Sequence, residues 1–249
     1  ISMDRHALET RMEAYFDKDV PNETVASLHP ALMMTGNRIV GPEARAKLLT
    51  ESAYDPKHIK LYPFKPFDVR WCYLDNIRPL FSEPSPRLIS HGFDGNRFFV
   101  TRDTADKDPE GPPFLLSPVI CDYDCISGHA RHFPIRLMRD KKTTVTGKDT
   151  ASGKRLYTEQ HDLFAAATAS ANLSPGARAY LDALGLPNPD EDTETAEVIW
   201  MHVLAIGYAP AYLTENADGI RQDWPRIPLP VTKAALLASA ALGRQVAAL

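Results

Sequence analysis

The chain has little of what several protein classes require. Its 249 residues hold three cysteines, Cys72, Cys121 and Cys125, too few and too unevenly placed for a disulfide framework, and they fit free thiols in a reducing compartment. No apolar run approaches the roughly 18 residues that a membrane-spanning helix needs; the nearest candidate, Ala234 to Leu242, is broken by Ser239. The opening residues, Ile1-Ser2-Met3-Asp4-Arg5-His6, show no basic flank followed by an apolar stretch. No secretory leader is read there, no membrane partner is expected, and the cytoplasm is the expected location. With isoleucine at position 1 and a helical pattern still running at Leu249, the chain is expected to be a piece of a longer polypeptide.

Catalytic signatures are also scarce. Gly147-Lys148 lacks the rest of a phosphate loop, no G-x-S-x-G elbow is present, and no glycine-rich strand-to-helix turn stands ready for S-adenosylmethionine. Gly111-Pro112-Pro113-Phe114 resembles the Asp/Asn-Pro-Pro-Tyr/Phe loop of amino-methyltransferases, but glycine stands where a side chain must hold the exocyclic amine. The chain alone is therefore not expected to methylate, and no catalytic residue is assigned to it.

What is present fits an ordinary globular domain. Hydrophobic residues make up 44% and charged residues 24%, which excludes disorder, collagen and rods as the main content. The length allows one large domain or two small ones. A net charge of −4 and an isoelectric point near 6.1 do not mark the whole chain as a polyanion binder. The charge is unevenly spread, however. From Arg131 to Arg155 the basic residues Arg131, Arg136, Arg139, Lys141, Lys142, Lys148, Lys154 and Arg155 face Asp140 and Asp149 alone. From Asp190 to Glu197 the charges are all acidic.

Periodicity divides the chain into a helical entry region (1–60), a sheet-rich part (61–158) and a helical C-terminal part (159–249), which one continuous domain could hold. Leu8, Met12, Tyr15 and Phe16 recur at helical spacing, and Pro42 opens a second helical run at a first-turn position. Strand-like runs fall at 68–74, 97–102, 118–126 and 132–138, separated by turn formers such as Phe93-Asp94-Gly95-Asn96. Ser174-Pro175 caps a helix ending at Gly185. Further helices are read over 193–206, over 209–217 and from 231 to the end. The three prolines of Arg221 to Pro230 forbid regular helix and predict an extended strap. The expected fold class is α+β, with a mixed or antiparallel central sheet flanked by N-terminal helices and a C-terminal helical bundle.

Several constellations invite chemistry. Cys121-x3-Cys125-x3-His129-x2-His132 holds the residue types of a zinc site, but only three residues separate the cysteine and histidine pairs. If 118–126 is a strand, the two cysteines lie roughly 13 Å apart along it, so buried thiols and a polar turn are expected. Asp140-Lys141-Lys142, with Asp122 or Asp124 upstream, carries the groups of a metal-dependent nuclease, although a solvated basic turn explains it as well. His161 and His202 lie in helical stretches and read as packed or surface histidines. Charge runs usually form solvated faces, but basic residues on sheet loops also suit phosphate contact and guanine edges; were nucleic acid the partner, the contacts would be Arg97, Arg102, Lys107, Arg131, Arg136, Arg139, Lys141, Lys142 and Lys148.

Three segments carry a family resemblance. Leu61 to Tyr73, with Tyr62, Pro63, Phe64, Pro66, Phe67, Asp68, Arg70 and Trp71, resembles the Y-x-P-F-D-x-R-W-x-Y signature that follows the methyltransferase domain in type ISP and related single-chain restriction–modification enzymes. Arg97-Phe98-Phe99-Val100-Thr101 is similar to the strand that comes next in those proteins. Ile206-Gly207-Tyr208-Ala209-Pro210-Ala211-Tyr212 and Asp223-Trp224-Pro225-Arg226-Ile227-Pro228 resemble their C-terminal Y-A-x-x-x-S-P-x-Y and D-[FW]-P-R-I-P stretches, in the same order.

The resemblance implies the target-recognition region of a larger adenine-specific DNA methyltransferase or restriction–modification polypeptide. Its partners would be double-stranded DNA and the methyltransferase domain of the same polypeptide, which would bind S-adenosylmethionine and methylate a flipped adenine. This chain itself would hold no cofactor and no metal. The residues of the first signature read structurally: Asp68 and Arg70 share a strand face and can pair, while Phe67 and Trp71 point the other way, against the core. Trp224 reads as a packing anchor, with Arg221 and Arg226 near phosphate. A different class of function stays open, a protein-docking scaffold using the acidic segment and C-terminal helices, and the nuclease stands third.

Overall fold

Asp4 starts the fold by accepting the N–H groups of His6 and Ala7 with its carboxylate in the computed structural model. The structure describes residues 1–36, 39–75, 77, 78, 80, 85–105, 111–127, 129–138, 143–148, 155–159 and 169–249, with 143–148 and 155–159 described by backbone alone. Helix α1 (Arg5–Phe16) buries Leu8, Met12, Tyr15 and Phe16, the residues that the periodicity singled out. Short helices α2 (Asn22–Leu28) and α3 (Pro30–Met33) lead to α4 (Gly41–Glu51), which has proline in its first turn. Arg45 of α4 is buried at 3% exposure. Its guanidinium donates to the carbonyls of Ala14, Tyr15, Asp17 and Val20 and to the Asn22 amide oxygen, closing the end of α1 and the turn after it.

A β-hairpin follows, of β1 (Ile59–Lys65) and β2 (Asp68–Tyr73). Ile59 and Tyr73 complete a core with Leu8, Met12, Phe16, Val25 and Leu48. After α5 (Pro86–Ser90) come β3 (Phe98–Thr101), β4 (Phe114–Ser117), β5 (Arg131–Pro134), β6 (Arg136–Met138), β7 (Thr143–Lys148), β8 (Arg155–Glu159) and β9 (Ala169–Ala171). Every strand pairing among the described residues is antiparallel. One central sheet is replaced by a three-stranded sheet in the order β4-β3-β5 and by the pairs β1-β2, β6-β9 and β7-β8. β3 is buried on both faces: Phe98 and Val100 pack against Cys121, Cys125 and Ile126, while Phe99 packs against Phe114 and Leu204.

The strand expected over 118–126 is not formed; the strand is β4, just before it. The Asp122 carboxylate accepts the Asp124 N–H and its carbonyl accepts the Cys125 N–H. This Asx-type turn competes with a ladder and wins. It brings Cys121 and Cys125 into one buried cluster, so the 13 Å separation that argued against their sharing a site does not exist.

The C-terminal part holds α6 (Pro175–Ala183), α7 (Thr193–Gly207), α8 (Pro210–Glu215), α9 (Ala217–Gln222) and α10 (Lys233–Val246). Ser174 caps α6 as expected, Gly185 takes the left-handed backbone (φ 66°) just past its end, and Asp192 caps α7. α7 and α10 cross closely because Gly243 has no side chain: a Cβ there would lie 1.8 Å from the Met201 carbonyl oxygen. The residues from Asp223 to Val231 run without regular structure over this helical layer, as the prolines required. His202 ties that strap down, donating through Nε2 to Pro228 O at 3.0 Å, with Nδ1 2.8 Å from Ser239 Oγ. It is a packed histidine, 2% exposed. His161 lies outside the described residues. No helix among the described residues is long and apolar enough to cross a membrane.

Candidate functional site

The β1-β2 hairpin pairs Lys65 with Asp68, leaving Pro66 and Phe67 as the turn. Proline at the first turn position sets its own φ, and a positive φ at the second is normally supplied by glycine. Here Phe67 adopts it (φ 64°) and projects its ring, 99% exposed, into solvent. The expectation that Phe67 packs in the core is thus corrected: the turn takes the residue out of the strand alternation that placed it there. Trp71, on β2 itself, does pack against the N-terminal core, with the Arg5 guanidinium 5.3 Å from its ring.

The tip is held firmly. Arg70 grips Asp68 through Nη2 to Oδ2 at 2.6 Å and through Nε to Oδ1 at 3.0 Å and Oδ2 at 3.2 Å, and this pairing holds the Asp68 carboxyl below its ordinary range. The same guanidinium lies 4.1 Å from the Phe64 ring. Behind the tip, Lys65 donates to Asp124 O, the Asp122 N–H donates to Pro63 O at 2.8 Å, and the Tyr62 hydroxyl donates to Asp122 Oδ2 at 3.2 Å. Burial, reinforced by the Asp122 charge, raises the Tyr62 phenol well above its ordinary value. The hairpin is therefore fastened to the 121–130 loop.

That loop carries its own exposed ring. Tyr123, 53% exposed, stacks on His129 with centroids 4.3 Å apart and planes 15° from parallel. His129 also has a left-handed backbone (φ 70°), and its Nδ1 lies 3.1 Å from Asp124 Oδ1. Arg131 completes the group. Its guanidinium lies 5.8 Å from the Tyr123 ring and makes long contacts of 3.4 Å with the Tyr123 hydroxyl and Asp103 Oδ2.

The zinc-type residues behave differently from a metal centre. Cys121 and Cys125 are buried free thiols, and the hydrogen bond between them, together with burial, pushes the Cys121 thiol up. His132 accepts the Cys121 backbone N–H on Nε2 at 3.1 Å, and burial pushes its imidazole down to about 4. His129 sits outside, on Tyr123. Among the described residues no group of three or more His, Cys, Asp or Glu side chains is placed to hold an ion.

Of the nine basic residues singled out in the sequence, the structure describes the side chains of four. Arg102 is 2% exposed and turns inward to Gly111 O. Arg97 pairs with Glu197 of α7, and Arg136 donates to Ala169 O across the β6-β9 pair. Arg131 stands at the surface among the exposed rings. Lys148 is on β7, described by backbone. Lys107, Arg139, Lys141 and Lys142 lie outside the described residues, as does Asp140.

Trp224 is 40% exposed, edge-on to Phe133 at 5.9 Å, and lines a cleft of about 340 Å³ with Phe99, Trp200 and Ile227. It anchors the strap while keeping one face in solvent. Arg226 pairs with Asp223 beside it at 2.8 Å.

The model of one protein family, described as the Type ISP C-terminal specificity domain, matches residues 1–249. No curated protein matches the chain. Among solved structures it resembles the DrdV–DNA complex, at 19% identity and a TM-score of 0.55, covering 99% of this chain and 21% of that one. It also resembles the ATP-dependent Type ISP restriction–modification enzyme LlaBIII bound to DNA, at 13% identity and a TM-score of 0.52, covering 99% of this chain and 14% of that one. At these identities the likeness is one of fold, and the chain spans only a small part of either relative.

Proposed function

Because the chain belongs to the Type ISP C-terminal specificity domain family, we propose that it is the DNA sequence-recognition module of a larger adenine-specific DNA methyltransferase or restriction–modification polypeptide. The observation that carries this reading is the match of the family over the whole chain, residues 1–249, joined to a fold shared with two proteins solved on DNA. Catalysis and S-adenosylmethionine belong, in this reading, to a methyltransferase domain of the same polypeptide. The residues of this chain position and discriminate the duplex.

In this reading the basic residues divide the labour between framework and duplex. Arg97, Arg102 and Arg136 each reach another part of the protein, at Glu197, Gly111 O and Ala169 O, and are assigned to the framework. Arg131 and the basic run that follows it supply phosphate contacts, which set register and affinity. Base reading is assigned to side chains on the loops around the β4-β3-β5 sheet, which packs on α7 through Phe99, Phe114 and Leu204.

The scaffold reading loses its main support, the acidic segment. Asp190 binds Arg178 and the Ala171 N–H, Asp192 caps α7, and Glu197 holds Arg97, so these carboxylates serve the fold. For the nuclease reading, Asp122 and Asp124 are hydrogen-bonded to Tyr62 and His129 on either side of the loop, and Asp140 lies outside the described residues.

The test is duplex binding by this chain across a range of salt concentrations. With about four phosphate contacts, log affinity should fall against log salt with a slope near −3.6. A slope near zero, or no binding at low salt, contradicts the proposal.

A further inference from the structure

Among the described residues, two that are not glycine take a left-handed backbone, Phe67 and His129. Such strain persists where surrounding contacts impose it. Both residues stand on adjoining loops, fastened by Lys65 to Asp124 O and by the Asp122 N–H to Pro63 O. Both loops present rings outward: Phe67 at 99% exposure, and Tyr123 at 53% stacked on His129.

Glycine at position 67 would satisfy the Pro66 turn without strain, and leaving a phenyl ring in water gains the fold nothing. The ring's use must therefore lie outside this chain. Its surroundings indicate with what. Arg70 and Lys65 lie 4.1 and 5.6 Å from the Phe64 ring, and Arg131 lies 5.8 Å from that of Tyr123. Of the carboxylates here, Asp68 is paired with Arg70 and Asp103 with Arg131, while Asp122 and Asp124 are hydrogen-bonded to Tyr62 and His129. Rings interleaved with cations match planar bases strung on phosphates. A single ring on a two-residue turn, braced from behind, has the shape of a wedge that enters a base step.

We infer that Phe67 is a nucleobase-stacking wedge, inserted into duplex DNA from the hairpin tip, with the Tyr123–His129 stack and Arg131 bearing on the neighbouring backbone. This rests on the DNA-recognition reading and adds to it a deformation of the duplex, and hence a contribution that depends on how easily a step unstacks.

The experiment compares wild type, Phe67→Gly and Phe67→Trp with a random-sequence duplex pool. Phe67→Gly should keep or raise the melting temperature, because strain is relieved, while weakening duplex affinity about tenfold. Its salt slope should match wild type, since no phosphate contact is lost. In Phe67→Trp, the emission of the added indole, taken as the difference from wild type, should be quenched by duplex and shielded from acrylamide. Unchanged affinity for Phe67→Gly, or an added indole equally open to acrylamide with and without DNA, overturns the wedge. Salt-dependent binding by wild type in that same experiment leaves the recognition reading standing. Absence of binding by wild type removes both.

Discussion

Asn96 pairs with the backbone of Arg136 as a strand residue would, but through its side chain: Oδ1 accepts the Arg136 N–H at 3.1 Å and Nδ2 donates to Arg136 O at 2.8 Å. Just before it, the Ile135 N–H donates to Arg97 O at 2.8 Å. The three-stranded sheet is thus carried past the break at Ile135 into the β6-β9 pair. Nδ2 also reaches His91 O, so one buried amide joins α5, β3 and β6.

Replacing Asn96 with alanine strands several buried backbone groups at once. At about 1–3 kcal/mol for an unsatisfied buried group, Asn96→Ala is expected to destabilise the chain by roughly 3 kcal/mol in urea unfolding. Asn96→Asp, which keeps the acceptor and loses the donors, should cost nearly as much. A loss below about 0.5 kcal/mol would show that the amide is dispensable.

Arg45 supports the helical base in a comparable way. Arg45→Met keeps the length and apolar stem but leaves the carbonyls of Tyr15, Asp17 and Val20 without their donor. A cost of about 3 kcal/mol is expected, with Arg45→Lys recovering only part of it because one ammonium cannot span the same acceptors. Equal stability of the lysine variant and wild type would count against the capping role.

Gly243 offers a test of sign. In an open helix, glycine to alanine gains roughly 1 kcal/mol from propensity. Here the new Cβ would meet the Met201 carbonyl oxygen at 1.8 Å and the carbonyl carbon at 2.6 Å, and backbone cannot step aside cheaply. Gly243→Ala should therefore destabilise by about 2 kcal/mol, whereas the same change at Gly219, which has open space around it, should not. Thermal melts of the two variants decide it.

His132 gives the chain an acid-sensitive joint. Its Nε2 accepts the Cys121 N–H, which needs the neutral ring, and burial pushes the folded value down to about 4 against about 6.5 in the unfolded chain. Above pH 6.5 the contribution is full. Between pH 6.5 and 4 only the unfolded state takes up the proton, so stability falls with pH, by up to roughly 3 kcal/mol, and levels off below 4. His132→Gln, which offers an acceptor and no titration, should flatten the difference between urea midpoints at pH 7 and pH 4.5. An identical pH dependence in that variant would assign the loss to other groups.

Much of this architecture is legible from residue types alone. Leu8, Met12, Tyr15 and Phe16 mark α1, Ser174 and Gly185 bracket α6, and three prolines hold the strap out of helix. The 118–126 segment misleads because Val119, Ile120 and Cys121 look like strand while the Asp122 carboxylate turns the chain, a local competition that periodicity does not register. Phe67 misleads for a related reason: in a two-residue turn, an apolar residue loses the face that alternation assigns to it. The signal was available in Pro66-Phe67 standing where Pro-Gly is usual. Charge was a poor guide to surface, since Arg102 and Arg45 are both buried among carbonyls. The family segments, by contrast, point to the right elements, because their prolines, aromatics and paired Asp68 and Arg70 are what fix the hairpin and the strap.

The most direct measurement is selection by this chain from a random-sequence duplex pool at moderate salt, followed by sequencing of the bound fraction. A sequence-recognition module is expected to enrich one motif over successive rounds, with affinity for that motif exceeding the pool average by on the order of 10³-fold. A bound fraction indistinguishable in sequence from the starting pool would contradict the assignment of specificity to this chain.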